Sequence, residues 1–271
     1  MSFKEIAVSG LSFSYGRIKA LKELSFTICG GEFIGVIGPN GSGKTTLLKC
    51  LCSILKPYGS IYIDGVSISK YSAREIAKII SYIPPSPLPG GLSVFDTVSL
   101  GRTPHMKGLW WESREDEDII QHSLKALNLD ELADRRVCEL SSGEQQRVKV
   151  AKAIAQQPKI LLVDEPTVHL DLKHQIEIMN ILKDLTFKGL TVIAALHDLN
   201  LALTYSSKVI VLNSGRIVAY GNPRSVITED LVEKVYGVKV RIRWDNELNH
   251  PIITVLGVKN NNADRKFSYL T

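Results

Sequence analysis

Nothing in this 271-residue chain approaches the ~20 consecutive apolar residues that a membrane-spanning helix requires. Runs such as Ile160 to Val163 and Thr191 to Leu196 fall far short, and no apolar segment opens the sequence as an export signal would. Any role at a membrane is therefore expected to come through partners. Cysteine is scarce too. Cys29, Cys50, Cys52 and Cys138 lack C-x-x-C spacing, which argues against a zinc site. They sit mostly inside apolar segments and read as buried free thiols, in keeping with the cytosol. Basic residues outnumber acidic ones by only 33 to 28, scattered with no run and no aromatic-interleaved patch, so no nucleic acid is expected as a partner. Internal repeats and coiled-coil heptads are missing as well.

What is present suits a globular protein. With 44% hydrophobic and 23% charged residues the chain can bury a substantial core, as one large domain or two closely joined ones. The first third reads as strand-rich: Ile6 to Val8, Leu24 to Ile28, Phe33 to Ile37, Ser60 to Ile63, a helix after Ser72, then Ile80 to Ile83. Pro84 to Gly91 forbids helix and central strand alike and marks a stiff connector. Helical patterns dominate from Val94 to about Ala155, with Glu115 to Leu127 and Ser142 to Ala155 the clearest. Strand and helix then alternate: Ile160 to Val163, Leu172 to Phe187, Thr191 to Ala195, Leu199 to Thr204, Val209 to Leu212, Ile217 to Tyr220. That order predicts an α/β fold with a mostly parallel sheet wrapped by helices.

The most informative text is Gly38-Pro39-Asn40-Gly41-Ser42-Gly43-Lys44-Thr45-Thr46, which fits G-x-x-x-x-G-K-[ST] between a strand-like run and a helix-like one. Glycines let successive N–H groups curl around an anion, and the helix adds its positive end. Phosphate is the implied guest, with Lys44 as a point charge on it and the Thr45 hydroxyl as a ligand of Mg²⁺.

Ile160 to Glu165 reads as a buried strand ending in two carboxylates, at the edge where parallel sheets place their ligands. Strand alternation points the two acids differently, Asp164 toward Mg²⁺ and Glu165 toward an attacking water as general base. His197 ends a similar run; it either bonds a γ-phosphate oxygen or helps cap the helix beginning near Asp198. Tyr15 either stacks on a purine or packs. Leu140 to Arg147 starts a long helix with Ser141 before it. It is a good N-cap, or else a second anion site, which in a chain with one P-loop suggests a nucleotide shared between two copies.

Together these residues resemble the ATP-binding cassette family over about residues 3 to 257. Tyr15 matches its adenine-stacking aromatic, Gly38 to Thr46 its Walker A, Leu140 to Arg147 its signature, Ile160 to Glu165 its Walker B, Leu170-Asp171 its D-loop and His197 its switch histidine. The resemblance implies a P-loop NTPase with a RecA-like core, an antiparallel β subdomain and an inserted α-helical subdomain. The domain would span 1–259, with core 1–84 and 156–259, insert about 85–155, and a polar tail 260–271. ATP and Mg²⁺ are the implied ligands. Gly38, Asn40, Gly41, Ser42, Gly43, Lys44, Thr45 and Thr46 would bind the nucleotide in one copy, completed by Ser141, Ser142, Gly143, Glu144 and Asp171 of a head-to-tail second copy. Glu165, His197 and Lys44 would carry catalysis, and Thr45 and Asp164 the metal.

The phrases Gly101 to His105, Glu165 to Asp171, Leu196 to Asn200 and Tyr236-Gly237-Val238 are similar to the ATPases of importers for iron-siderophore complexes, haem and cobalamin. That resemblance implies a permease dimer, an extracytoplasmic binding protein acting indirectly, and a place on the cytoplasmic face of the cell membrane, peripheral through the permease. The rival readings are a soluble, non-transport cassette ATPase and a nucleotide-gated interaction module with impaired hydrolysis. Two positions depart from the family. Pro85 stands where a glutamine side chain usually meets Mg²⁺ and the attacking water, and Ser142 stands where glycine is usual.

Overall fold

The computed structural model describes residues 3–106, 113–245 and 250–258. β1 (Glu5–Tyr15) and β2 (Ile18–Cys29) form an antiparallel hairpin whose turn uses Gly16 at φ +57°. Its apolar residues Ile6, Val8, Leu11, Leu21, Leu24 and Ile28 are all buried. β3 (Phe33–Ile37) follows, and after the P-loop comes α1 (Lys44–Leu51). β4 (Tyr58–Ile63) returns to the free edge of β1, and the short β5 (Val66–Ser67) completes an antiparallel sheet of order β2-β1-β4-β5. α2 (Ala73–Ile79) starts at a capping box in which Ser72 and Glu75 satisfy each other's backbone N–H, and it feeds β6 (Ile80–Ile83).

Pro84 to Pro87 are exposed and irregular. Between β6 and the next strand the chain is helical: α3 (Val94–Ser99), α4 (Arg114–Ala126) and α5 (Ser142–Ala155). Val94, Val98, Ile120, Leu124, Val148 and Ala151 pack these helices together. Arg102 is buried among them, its guanidinium donating to Asp116, the Ala155 carbonyl and Gln157.

Then come β7 (Ile160–Asp164), α6 (Leu172–Phe187), β8 (Thr191–Ala195), α7 (Leu199–Tyr205), β9 (Lys208–Asn213) and β10 (Arg216–Gly221). The second sheet has the order β10-β9-β3-β8-β7-β6, parallel except for β10. Every residue of β3, β7 and β8 is buried, so both faces of the sheet are covered. Alternate residues go to opposite layers. Ile34, Val36, Leu162 and Ile193 meet α1 and the antiparallel sheet, whereas Phe33, Ile37, Leu161 and Val192 meet the apolar face of α6.

The C-terminal part adds α8 (Pro223–Val226), α9 (Glu229–Tyr236) and a hairpin of β11 (Val238–Asp245) with β12 (His250–Val258). The expected polar tail, 260–271, lies outside the described residues. The expectation for cysteine needs correcting. Cys50 is buried on α1 and Cys52 partly so, but Cys29 and Cys138 are exposed. Cys29 alternates outward at the end of β2, and Cys138 sits in a single helical turn whose buried member is Val137.

Candidate functional site

The P-loop joins the C-terminal end of β3 to α1, at the edge of the parallel sheet where β7 and β8 also end. Gly38 has φ +149°, and an added Cβ there would run into the Leu212 carbonyl and Ser42; Gly43 has φ +108° and lies against Ala20 and Leu21. Only glycine fits either position. No side chain caps α1, so the N–H groups of its first turn remain for an outside acceptor. The Ser42 hydroxyl, 1% exposed, has no protein partner among the described residues, as expected of a loop built around a polar ligand. Lys44 curls back, its Nζ donating to the Gly38 carbonyl at 2.7 Å and that of Pro39 at 3.2 Å. Burial lowers its pKa, opposed by the charges of Glu165 and Asp164.

A cleft of about 480 Å³ opens over this loop. Its walls include Tyr15, Ile18, Asn40 to Thr46, Glu165 and the Ser214-Gly215 turn. Tyr15 ends β1, half exposed, with its ring edge-on to Phe13 at 4.9 Å between centroids. Its accessible ring suits stacking on a flat ligand.

β7 ends at Asp164, and Glu165 follows it outside the strand. Asp164 is 1% exposed. Its Oδ1 accepts from the Thr45 hydroxyl at 3.1 Å and its Oδ2 from the Tyr82 hydroxyl at 3.1 Å. Burial raises its pKa against the pull of those two hydrogen bonds. One carboxylate beside one hydroxyl at a phosphate loop fits Mg²⁺, which takes few protein ligands and fills its octahedron with water and phosphate oxygens. Among the described residues no cluster of three or more acids, histidines or cysteines offers an all-protein cage.

Glu165 leaves the strand with φ +53°, a left-handed conformation that costs a non-glycine residue roughly 1 kcal/mol and aims its carboxylate away from Asp164. Its Oε1 lies 2.6 Å from His197 Nε2. His197 follows β8 and does not cap the next helix; Asp198 does, accepting from the N–H groups of Asn200 and Leu201.

Ser141, Ser142, Gly143, Glu144 and Asp171 do not line this cleft. They make a second cluster where α5 and α6 begin. Ser141 caps α5 in a capping box with Glu144, whose pKa is lowered by those hydrogen bonds. Ser142 is exposed, and Gly143 is buried against the ring of His174. That ring is held by Asp171, whose Oδ1 accepts from the His174 backbone N–H at 2.8 Å and from Nδ1 at 2.7 Å. Sequence reasoning passed over Tyr82 and His174. Period-2 alternation from Ile80 could have placed Tyr82 on the α1 face, and His174 falls three residues after the helix cap. Neither spacing reveals its partner in a distant segment.

Comparison with known proteins follows the same lines. The family model described as ABC transporter matches residues 21–168. A probable siderophore transport system ATP-binding protein of Bacillus subtilis is 40% identical over 255 residues, 93% of each chain. Among solved structures, an inward-facing transporter described as of metal-chelate type matches with TM-score 0.82 and 28% identity, over 94% of this chain and 98% of that one. The dimeric structure of a bacterial ABC transporter cassette matches with TM-score 0.71 and 31% identity, over 81% of this chain and 99% of that one.

Proposed function

This chain belongs to the ABC transporter family and is an ATPase of it; from that premise we propose that two copies, bound to a membrane permease, power import of a metal chelate. The observation that carries the reading is the split of the motif residues. One set lines the P-loop cleft, and the other lies outside it at the start of α5. A second copy placed head-to-tail closes the cleft with its own Ser141 to Glu144 and Asp171. The helix end and its N–H groups then face the γ-phosphate.

Within the composite site Tyr15 stacks on the adenine, and Gly38 to Thr46 wrap the phosphates with backbone N–H groups. Lys44 exchanges its two carbonyl partners for β- and γ-phosphate oxygens. Thr45 and Asp164 would hold Mg²⁺, which would supply positive charge to offset that developing on the phosphate oxygens. Glu165, already oriented by His197, takes the proton of the attacking water, and His197 donates to the γ-phosphate oxygen once the cleft is filled. Core 1–84 and 156–259 and insert 85–155 move relative to each other as copies close and reopen. The permease's cytoplasmic helices dock beside Pro84 to Gly91, which places the chain on the cytoplasmic face of the membrane; no helix among the described residues is long and apolar enough to cross it.

The similarity to a siderophore system supports an iron-siderophore complex as cargo, ahead of haem and cobalamin, with a binding protein delivering it from outside. The experiment is co-expression with candidate permeases, followed by ATP-dependent uptake of labelled ferric siderophore, haem and cobalamin. Uptake of the ferric siderophore that disappears with Lys44→Ala supports the reading. Recovery of the protein solely in soluble complexes, with no uptake of any of the three, favours a non-transport ATPase.

A further inference from the structure

Tyr82 touches Asp164, and the proposed reaction gives it no part. β6 runs parallel to β7 with Tyr82 opposite Leu162, and alternation sends its ring to the α1 side of the sheet with Ile80. The ring is half-buried. One side of it walls a groove of about 930 Å³ enclosed by the segment after α1, by β4 and by α2, with Leu55, Ile68, Tyr71 and Ala77 among its lining. Its hydroxyl donates to Asp164 Oδ2 at 3.1 Å, while Thr45 holds Oδ1. Both carboxylate oxygens are therefore pinned, by hydroxyls from two separate elements. Burial, and then the Asp164 charge, push the phenol pKa up.

We propose that Tyr82 is a positioning residue that fixes the plane of the Asp164 carboxylate for the metal–nucleotide complex. This rests on the nucleotide reading of the P-loop cleft. A phenol ring is rigid, so its hydroxyl holds Oδ2 from one direction while the Thr45 hydroxyl holds Oδ1 from another.

The test titrates Mg²⁺ against ATP binding by the full chain, with excess chelator as the metal-free arm. Tyr82→Phe keeps the ring and the groove wall. It is expected to leave metal-free ATP affinity unchanged and to raise the Mg²⁺ concentration for half-maximal effect about tenfold, as loss of a hydrogen bond to a ligating carboxylate does. An unchanged midpoint in Tyr82→Phe overturns the positioning role, as does loss of its metal-free binding, which would mark a purely structural phenol. A wild-type chain that binds no ATP in either arm overturns the nucleotide reading itself.

Discussion

His197 Nε2 lies 2.6 Å from Glu165 Oε1, tying the end of β8 to the end of β7 beside the P-loop cleft. Glu165 is thus held in a strained left-handed conformation with its carboxylate directed by a single imidazole. His197→Ala should lower turnover by ~10² to 10³, the loss typical of one oriented donor in a charge-stabilising site. ATP affinity should change little, because the loop N–H groups and Lys44 remain. Single-turnover hydrolysis beside equilibrium binding separates the two; equal losses in both would assign His197 to binding.

Pro85 offers a gain rather than a loss. Its ring cannot hydrogen-bond a water, and the connector it stiffens is exposed, so a side-chain amide can be introduced without repacking. Pro85→Gln should raise ATPase activity, by an amount corresponding to roughly 1 to 3 kcal/mol at most, with no matching gain in ATP affinity. Equal turnover by both proteins, with and without permease, would show that another group already fills the role.

Gly143 and His174 form a lock between the starts of α5 and α6. An added Cβ on Gly143 meets the His174 ring, which Asp171 holds in place. Gly143→Ala should cost about 1 to 3 kcal/mol of stability through overpacking and weaken ATP-dependent pairing of copies, leaving ATP binding by one copy intact. The double variant with His174→Ala should recover much of the loss. Failure of that rescue in a denaturation series would place the strain elsewhere.

The thiols divide by burial. Cys50 and Cys52 have pKa values raised by burial to about 12 and about 11. At pH 8 the Cys50 thiolate is then about one part in ten thousand. Because the thiolate is the reactive form, alkylation of the folded chain should modify Cys29 and Cys138 and spare the other two until denaturant is added. Four thiols labelled at one rate would contradict the described packing of α1.

Much of this architecture can be read directly from the sequence, because local rules suffice for it. The all-apolar runs of β3, β7 and β8 announce a sheet covered on both faces, and Ser72, Ser141 and Asp171 announce the helices they cap. Glycines in Gly38 to Gly43 announce the phosphate loop. The C-terminal hairpin is only half legible: β11 alternates apolar and charged residues strictly, but β12 does not, and its Val255, Leu256 and Val258 are exposed although apolar. The pairings Tyr82–Asp164 and Gly143–His174 escape local reading for a different reason. Each joins segments far apart in the chain, and only the sheet order and the packing of α5 on α6 bring them together. Cys29 and Cys138 mislead because apolar neighbours say nothing about which way one side chain of a strand or turn points.

The central claim is that one ATP is completed by two copies of this chain, and Glu165→Gln tests it most directly. The substitution removes the proton acceptor while keeping the side chain's shape, so ATP should bind and stay unhydrolysed. Sedimentation with saturating MgATP should show twice the monomer mass, reverting to monomer when ADP replaces ATP or when Gly143→Ala is added. A variant that binds ATP and remains monomeric at protein concentrations well above the nucleotide affinity would contradict the claim.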